Sequence, residues 1–502
     1  MDAEVLARWQ FGITTVYHFF FVPVTIGLTW LLAVMQTLWV RTGKQEWLQL
    51  VRFFSKLFLI NFAAGVVTGI VQEFQFGMNW SEYARFVGDI FGAPLALEAL
   101  IAFFMESTFV GLWVFGWNRL PKGVHLATIY LVAIGTTISA LFIVAANAWM
   151  QNPVGAYYNP QNGRAELTSF RVVLTNPFFL IAIPHILAAS FMVAGGLMAS
   201  IGGWHLAKLR KDRQSAEAAP RISAWRKSAR IGAWVMIIAG IVSTGTGHIQ
   251  GQIEGQYQPM KLAASEGLLT TTKSAPFSIV GIYYTDKGTQ QVQKAFSVDV
   301  PYVLSILAKN SPTAQVQGIN DLSQQYREQG FRADNGTQNQ LQKEFAPDLA
   351  SMPVNPVPPV NVSFYSFRLM IGMGELDIAL GILMLVVTWG KRLPIPSGWW
   401  RANAIALPLL PLFANSLGWI LTEMGRQPWI VFGVLPTWTA VSPGVSAVEL
   451  WISMILYTLV YAVVAVVVVA LFLREIKAGL PEIEEAPTGP EDEAAAPLSF
   501  AY

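Results

Sequence analysis

The sequence predicts an all-α integral membrane protein with nine transmembrane helices, and two observations carry this prediction. First, 53% of the 502 residues are hydrophobic and only 13% are charged, whereas soluble domains carry roughly 25% charged residues. Second, nine stretches reach the length of about 20 mainly apolar residues that a helix needs to cross a bilayer. They run near 11–39, 54–76, 93–117, 124–148, 176–203, 231–250, 364–389, 403–422 and 446–473.

The composition also excludes several classes of protein. The formal net charge of +2 lacks the basic excess that a nucleic-acid-binding protein needs. The sequence contains no cysteine, which excludes disulfide scaffolds, thiol nucleophiles and Fe–S clusters. The first apolar stretch is too long for the core of a signal peptide, and we interpret it as a membrane helix.

The distribution of Lys and Arg predicts the orientation of these helices. If the N-terminus lies outside, the inner loops hold 18 of these residues and the short outer segments hold 5. Cytoplasmic loops are enriched in Lys and Arg. We therefore expect the N-terminus outside and, with nine helices, the C-terminus inside.

Four regions follow from this arrangement. Residues 1–250 hold helices 1–6, and residues 363–475 hold helices 7–9. Between them, residues 251–362 form one long polar extracytoplasmic loop that ends in a proline-rich stretch, and its length is typical of a functional loop or small domain. The acidic residues 476–502 are expected to form a disordered cytoplasmic tail.

Six residues that could bind a cofactor lie near the outer ends of five predicted helices. Ionisable groups inside a bilayer are costly, so by default they indicate a functional site. Counted from the predicted helix starts, the candidates in the odd-numbered helices lie roughly 7–14 Å below the outer boundary. The six residues are His18, Glu98, His185 and Met370 in helices 1, 3, 5 and 7, with Glu423 and Arg426 at the outer end of helix 8.

A haem iron fits this set, because a His/Met pair can serve as its axial ligands. Taken singly, the residues have simpler explanations: an intramembrane His usually packs or hydrogen-bonds, Met370 could fill the core, and Glu423 with Arg426 could form a helix-end ion pair. Their shared depth favours the haem. A secondary transporter and a haem-free membrane scaffold remain alternatives, although the sequence shows neither the repeats nor the broken helices typical of transporters.

Six motifs, spread from helix 1 to helix 8, resemble those of subunit I of cytochrome bd-type quinol oxidases, the large haem-bearing subunit. They occur in the order of that family, and the last is long and specific. The motifs are YHFFFVP (17–23), FGAPLALE (91–98), FMESTF (104–109), ANAWMQNP (146–153), SFRLM (366–370) and GWILTEMGRQPW (418–429).

This resemblance implies roles for the candidate ligands. His185 and Met370 correspond to the axial ligands of a low-spin b-type haem, with Arg368 beside it. His18 and Glu423 correspond to ligands of two high-spin haems, one b-type haem and one haem d. Which of these two residues serves which haem stays open.

The resemblance also implies roles around the haems. Glu98 and Glu106 match buried acids that can pass protons inward, and eight residues apart they would lie about 80° apart on a regular helix, roughly on one side. Trp419 matches an aromatic residue between haems. Arg426 matches a counter-charge for haem propionates.

In the long loop, the segment KLAASE (261–266) resembles the quinol-binding segment of the family. Lys261 and Glu266 match residues implicated in oxidising quinol, which needs a proton-accepting carboxylate and a donor to the ring oxygens. Without the resemblance, a solvated Lys/Glu helix face would be the simpler interpretation. Gln252 and Glu254 are weaker candidates in the same loop.

Three further acids match no family role, namely Glu375, Asp377 and Glu449. Asp377 lies seven residues after Met370 and hence on the same helix face. We hypothesise that Asp377 belongs to an inner proton route, which charge translocation by an Asp377→Asn variant would test; unchanged translocation would contradict it.

Taken together, the resemblance implies the catalytic subunit of a terminal quinol:oxygen oxidoreductase in the bacterial cytoplasmic membrane. Such a protein would carry two b-type haems and one haem d, oxidise ubiquinol or menaquinol, and reduce O2 to water, generating a proton gradient without pumping. The expected partners are a homologous second membrane subunit and a small single-helix subunit.

Overall fold

The computed structural model describes residues 2–286, 288–329, 339–345 and 356–482. Within these residues the long helices form nine spans that are apolar and long enough to cross a membrane, which confirms the predicted fold class. The spans are α1 (Ala3–Phe19) followed by α2 (Val22–Thr42); α3 (Gln45–Met78); α4 (Ser81–Leu97) continued by a π-helical segment (Glu98–Phe103) and α5 (Phe104–Phe115); α6 (Lys122–Gln151); α8 (Pro177–Lys208); α9 (Ala218–Tyr257); α14 (Val360–Val387); α15 (Gly398–Met424); and α16 (Ala447–Ala478).

Shorter elements connect the spans, and their strands form antiparallel pairs, β1 with β2, β3 with β6, β4 with β5 and β7 with β8. Between α6 and α8 lie β1 (Ala156–Asn159), β2 (Arg164–Leu167) and α7 (Phe170–Leu174). Between α9 and α14 lie α10 (Pro259–Glu266), β3 (Thr272–Lys273), β4 (Phe277–Thr285), β5 (Val292–Val300), α11 (Val303–Lys309), β6 (Gln315–Val316), α12 (Ile319–Gln329) and α13 (Gln340–Phe345). Strands β7 (Trp429–Val431) and β8 (Leu435–Pro436) precede α16.

The first span is broken, which the sequence analysis did not predict. Phe20 and Phe21 separate its two helices, and α2 begins with Pro23 in its first turn. Proline is tolerated there because the first N–H groups of a helix have no intrahelical partner. The break holds His18 in the last turn of α1.

Several helices also begin at residues other than the predicted ones, which changes the depths counted for the candidate ligands. Glu98 lies 17 residues after the start of α4, and His18 lies 15 residues after the start of α1, instead of about five and seven. His185 lies eight residues after the start of α8, close to the expected nine. The number of residues from the helix start therefore does not define a common site. The site has to be identified from the side chains that lie close together in space.

Small residues bring α8 and α9 into close contact within the main hydrophobic core. A Cβ atom added at Gly232 would lie 2.4 Å from the carbonyl oxygen of Gly195. Membrane helices associate through such small residues because lipid provides little hydrophobic drive for association. The contact fixes two helices that both contribute to the site described below.

The region boundaries also shift by several residues. Helix α9 continues to Tyr257, beyond the predicted boundary at 250, and α16 ends at Ala478, inside the region assigned to the tail. The rest of the predicted tail from 483 and the first half of the proline-rich stretch 352–359 lie outside the described residues.

The close contact of α8 and α9 makes a testable prediction. Gly232→Ala should lower the thermal stability of the purified protein, because the new methyl group overlaps the α8 backbone and overpacking costs about 1–3 kcal/mol. Gly245→Ala on the same helix is the matched control, since its Cβ meets no described atom within 4 Å. Equal melting temperatures for the two variants would contradict the contact.

Candidate functional site

A cavity of about 380 Å³ lies between α8, α9, α10, α14 and α15. Its lining is mainly apolar with a few polar groups, which is typical of a ligand pocket. It brings together five predicted site residues that are distant in sequence, namely His185, Lys261, Glu266, Met370 and Trp419.

The imidazole of His185 is oriented by α9. Its Nδ1 lies 3.1 Å from the carbonyl oxygen of Ser243 and 3.0 Å from Oγ1 of Thr246. Because the Thr246 hydroxyl donates to the carbonyl oxygen of Val242 at 2.8 Å, both neighbours accept the Nδ1 proton. This arrangement leaves the lone pair on Nε2, which is the tautomer of a metal-ligating histidine.

Met370 of α14 lines the same cavity next to Gly418 of α15. A Cβ atom at Gly418 would lie 3.0 Å from Sδ of Met370, so glycine leaves room for the thioether. The thioether of Met370 and Nε2 of His185 together form a donor pair that a haem iron can use.

Arg368 links α14 to the neighbouring loop segments. Its Nη2 donates to Oε2 of Glu266 at 2.5 Å, and its Nε donates to the carbonyl oxygen of Ser278 at 2.6 Å. The third nitrogen, Nη1, is buried without a hydrogen-bond partner among the described residues. An unpaired guanidinium N–H group is a ready donor to an anion such as a propionate.

Burial controls the carboxyl group of Glu266. The residue is 3% exposed, and burial raises the pKa of its carboxyl above the usual value, while the charge of Arg368 opposes this shift. A raised pKa brings a carboxyl closer to ambient pH and suits it to proton exchange.

Lys261 is buried as an ion pair with Glu254. Its Nζ lies 2.9 Å from Oε1 of Glu254, and the two side chains are only 1% and 8% exposed. Since all eight residues of α10 are buried, the solvated helix face considered for this segment is wrong. Glu254, a weaker candidate in the sequence, is thus a direct partner of Lys261.

A second cluster surrounds His18. Its Nδ1 lies 2.9 Å from Oγ1 of Thr68, whose hydroxyl donates to the carbonyl oxygen of Ala64. As at His185, the Nδ1 proton is donated and Nε2 keeps its lone pair. The ring of Phe19 packs edge-on against Trp419 at 5.2 Å, so Trp419 lies between this cluster and the cavity.

Glu423 accepts two hydrogen bonds. Asn147 donates to its Oε1 at 2.8 Å, and Arg426 donates to its Oε2. The expected ion pair is therefore present, but Arg426 is 1% exposed and its Nε and Nη1 find no partner in the part of the chain that the structure describes. Buried donors without partners are rare, and these two could bind an anion.

Glu98 and Glu106, the two acids of the span formed by α4 and α5, both lie against one side of α6. Ser139 donates to Oε1 of Glu98 at 2.5 Å, and a Cβ atom at Gly135, one turn away on α6, would lie 2.8 Å from Cγ of Glu106. The segment between the acids is π-helical and turns less per residue than an α-helix. The two acids therefore lie on one side of the span, as their spacing predicts, although the π-helical segment changes the regular offset between them.

The three acids that match no family role have different environments. Glu375 accepts a hydrogen bond from Thr244 at 3.0 Å and lines the cavity. Asp377 is fully buried, and neither of its oxygens has a partner within the described ranges. Glu449 forms a capping box with Ser446 at the start of α16, which is a structural role.

The residues present fit a haem better than a bare metal ion. Among the residues that the structure describes, no cluster of three or more His, Asp or Glu side chains could hold an ion. A haem needs fewer protein ligands because its porphyrin supplies the equatorial ones. The suitable groups are the Nε2 atoms of His18 and His185, the thioether of Met370 and the buried guanidinium groups of Arg368 and Arg426.

Comparison with known proteins gives close relatives along nearly the whole chain. A family model described as cytochrome bd terminal oxidase subunit I matches residues 6–480. The chain is 40% identical to the cytochrome bd ubiquinol oxidase subunit 1 of Bacillus subtilis (strain 168), covering 95% of this chain and 94% of the relative. It is 38% identical to the cytochrome bd-II ubiquinol oxidase subunit 1 of Escherichia coli (strain K12), covering 91% and 94%. The structure of the bd oxidase from Geobacillus thermodenitrificans is 27% identical, with a TM-score of 0.78 over 95% of this chain and 99% of that chain.

The fold and the site together define an integral membrane protein of the terminal oxidase class. The chain belongs to the cytochrome bd terminal oxidase subunit I family, which confirms the resemblance found in the six motifs. The transporter and scaffold alternatives are thereby removed. The break at Phe20 also demonstrates that a broken helix does not by itself indicate a transporter.

The pairing of Arg368 with Glu266 predicts a measurable pKa change. Arg368→Gln should raise the pKa of Glu266 further, because it removes the cation that favours the ionised carboxylate. In an infrared pH titration, the band of the protonated carboxyl, identified by its loss in Glu266→Gln, should persist to higher pH. Arg171→Gln, which changes an exposed arginine, is the control. An unchanged titration midpoint in Arg368→Gln would contradict the pairing.

Proposed function

We propose that the chain is the haem-bearing catalytic subunit of an electrogenic membrane quinol:oxygen oxidoreductase. The observation that carries the proposal is that one cavity is lined by His185, whose Nδ1 is hydrogen-bonded, by Met370 and by the buried groups of Lys261 and Glu266. Its relatives named ubiquinol oxidase subunit 1 support the same activity.

Two b-type haems and one haem d are the proposed cofactors. His185 and Met370 would hold the low-spin b-type haem, and His18 and Glu423 would each hold one of the two high-spin haems. When bound, the haems supply electron transfer and oxygen reduction. The orientation of both imidazoles by hydroxyl and carbonyl acceptors supports these assignments.

The buried arginines would bind the propionates of these haems. Arg368 and Arg426 each keep buried N–H groups without partners among the described residues, and a guanidinium group bonds well to carboxylates. Trp419 would separate the low-spin haem from the high-spin pair, which its contacts with both clusters support.

Lys261 and Glu266 would bind the quinol. Oxidation of a quinol releases two protons, and Glu266, with its raised pKa, would accept one of them. Lys261 would donate a hydrogen bond to a ring oxygen, and Glu254 would hold Lys261 in position through their ion pair. The proposed substrate is ubiquinol or menaquinol.

Glu98 and Glu106 would carry protons towards the site of oxygen reduction. Their common side against α6 and the hydrogen bond from Ser139 support such a route. If these protons come from inside and the quinol protons leave outside, turnover generates a proton gradient without a pump. This requires the predicted orientation, with the N-terminus outside.

The proposed setting is the bacterial cytoplasmic membrane. Relatives named subunit 1 support a second membrane subunit as partner. A small single-helix subunit is a further proposed partner.

The assignment of Met370 is tested by an optical spectrum. Met370→Leu should remove one of the two side chains that would hold the low-spin haem. The reduced-minus-oxidised signal of that haem should then be lost or strongly shifted, with a loss of quinol-dependent oxygen consumption. Met373→Leu is the matched control, because it makes the same change on the same helix. A variant spectrum identical to that of the parent protein would defeat the assignment.

A further inference from the structure

The hairpin formed by β4 and β5 exposes an apolar face. Directly opposed residues in antiparallel strands lie on the same face of the sheet, and three such pairs are apolar here. The pairs are Phe277 with Val300, Val280 with Val298, and Ile282 with Phe296. Four residues at the centre of this face are between 42% and 53% exposed, namely Val280, Ile282, Phe296 and Val298.

The polar side chains of the hairpin gather elsewhere, around Asp299. Ser278 and Ser297 donate to its carboxylate at 2.6 and 2.8 Å, and Lys294 forms an ion pair with it at 3.1 Å. Ser278 itself is only 4% exposed, whereas Lys294 and Asp299 remain exposed. A hairpin surrounded by water packs its apolar face inward, but this hairpin leaves its apolar face exposed.

Strand β4 runs beside the first turns of α14. At one end, the carbonyl oxygen of Ser278 accepts a hydrogen bond from Arg368 at 2.6 Å. At the other end, the backbone of Tyr283 exchanges two hydrogen bonds with the side chain of Asn361. Asn361 and Arg368 are seven residues apart, which is about 10 Å along a helix. The apolar pairs therefore lie at the depth of the first two turns of a helix that spans the membrane.

We infer that the apolar face of the β4–β5 hairpin is embedded in the lipid that surrounds the N-terminal turns of α14. Helix α14 exposes apolar residues over the same turns, where Val362 and Leu369 are 40% and 47% exposed. Exposed apolar surfaces of this kind indicate contact with a membrane or a protein, and the depth set by Arg368 and Asn361 favours the membrane.

The backbone of the hairpin sets the level of this contact. A two-stranded sheet has open edges, whose N–H and C=O groups cannot be satisfied in the hydrocarbon centre. The hairpin therefore lies at the boundary of headgroups and acyl chains, as interfacial amphipathic helices do. The residues that join the strands, 286–291, are all polar or glycine, as expected for the end that points towards water.

The same strand also borders the cavity. Phe277 at the start of β4 lines it together with Leu304 and Leu307 of α11, and the guanidinium group of Arg368 lies 4.0 Å from the Phe277 ring. The hairpin thus reaches from the cavity wall to the lipid.

Because the chain has no cysteine, single spin labels can test the inference. Phe296→Cys and Val298→Cys would each be labelled in the assembled oxidase in lipid nanodiscs, with the unsubstituted enzyme as the blank for cysteines of other subunits. Collision rates of the label with O2, which concentrates in lipid, and with a water-soluble nickel chelate would be measured. Glu328→Cys on α12, an exposed polar position, is the aqueous control.

The expected result is an O2-to-nickel collision ratio several-fold higher at both hairpin positions than at position 328. A ratio equal to that of the control would place the hairpin in water and overturn the inference. Protection from both reagents would mean that a protein surface covers the hairpin, which also overturns it. An unchanged haem spectrum would verify that each labelled variant is folded, and Ile282→Cys on the same face replaces a variant that fails this check.

Discussion

The buried guanidinium group of Arg368 joins three parts of the molecule through its hydrogen bonds. It bonds to Glu266 at the end of α10 and to Ser278 in β4, and it lies two residues before Met370. A buried charge is costly unless it is paired, and removing one partner of such a pair typically costs about 3–5 kcal/mol. The loop segments therefore cannot leave α14 without exposing or isolating this charge, and the cavity keeps its shape as a consequence.

This constraint explains why a polar extramembrane segment and a membrane helix form one site. Helix α10 is buried completely because its two charged side chains have partners inside the protein, Glu254 for Lys261 and Arg368 for Glu266. The closely packed α8 and α9 supply the opposite wall. There, Ser243 and Thr246 fix the imidazole of His185, so the site rests on rigid elements, as positioning of a cofactor requires.

Much of this could be predicted from the sequence, because long apolar stretches and contiguous motifs are local signals. The nine spans and the family follow from such signals, and Met370 lies within a motif. His185 lies outside all six motifs and is predicted as an ionisable residue within an apolar stretch. The break at Phe20, the π-helical segment after Leu97 and the pairing of Glu254 with Lys261 could not be predicted. The break and the π-helical segment depend on contacts with distant segments, and the Glu254–Lys261 pair depends on the turn between α9 and α10. A hydroxyl such as that of Thr68 has no sequence feature that marks it as the partner of a histidine.

The central claim is that the Arg368–Glu266 pair couples the proposed quinol segment to the proposed low-spin haem site. A double-mutant cycle with Glu266→Gln and Arg368→Gln, read as the midpoint potential of the low-spin haem, tests it most directly. The single variants should shift the potential in opposite directions, since one removes a negative and the other a positive charge. If the two side chains are coupled, the shift in the double variant departs clearly from the sum of the two single shifts. Additive shifts would contradict it.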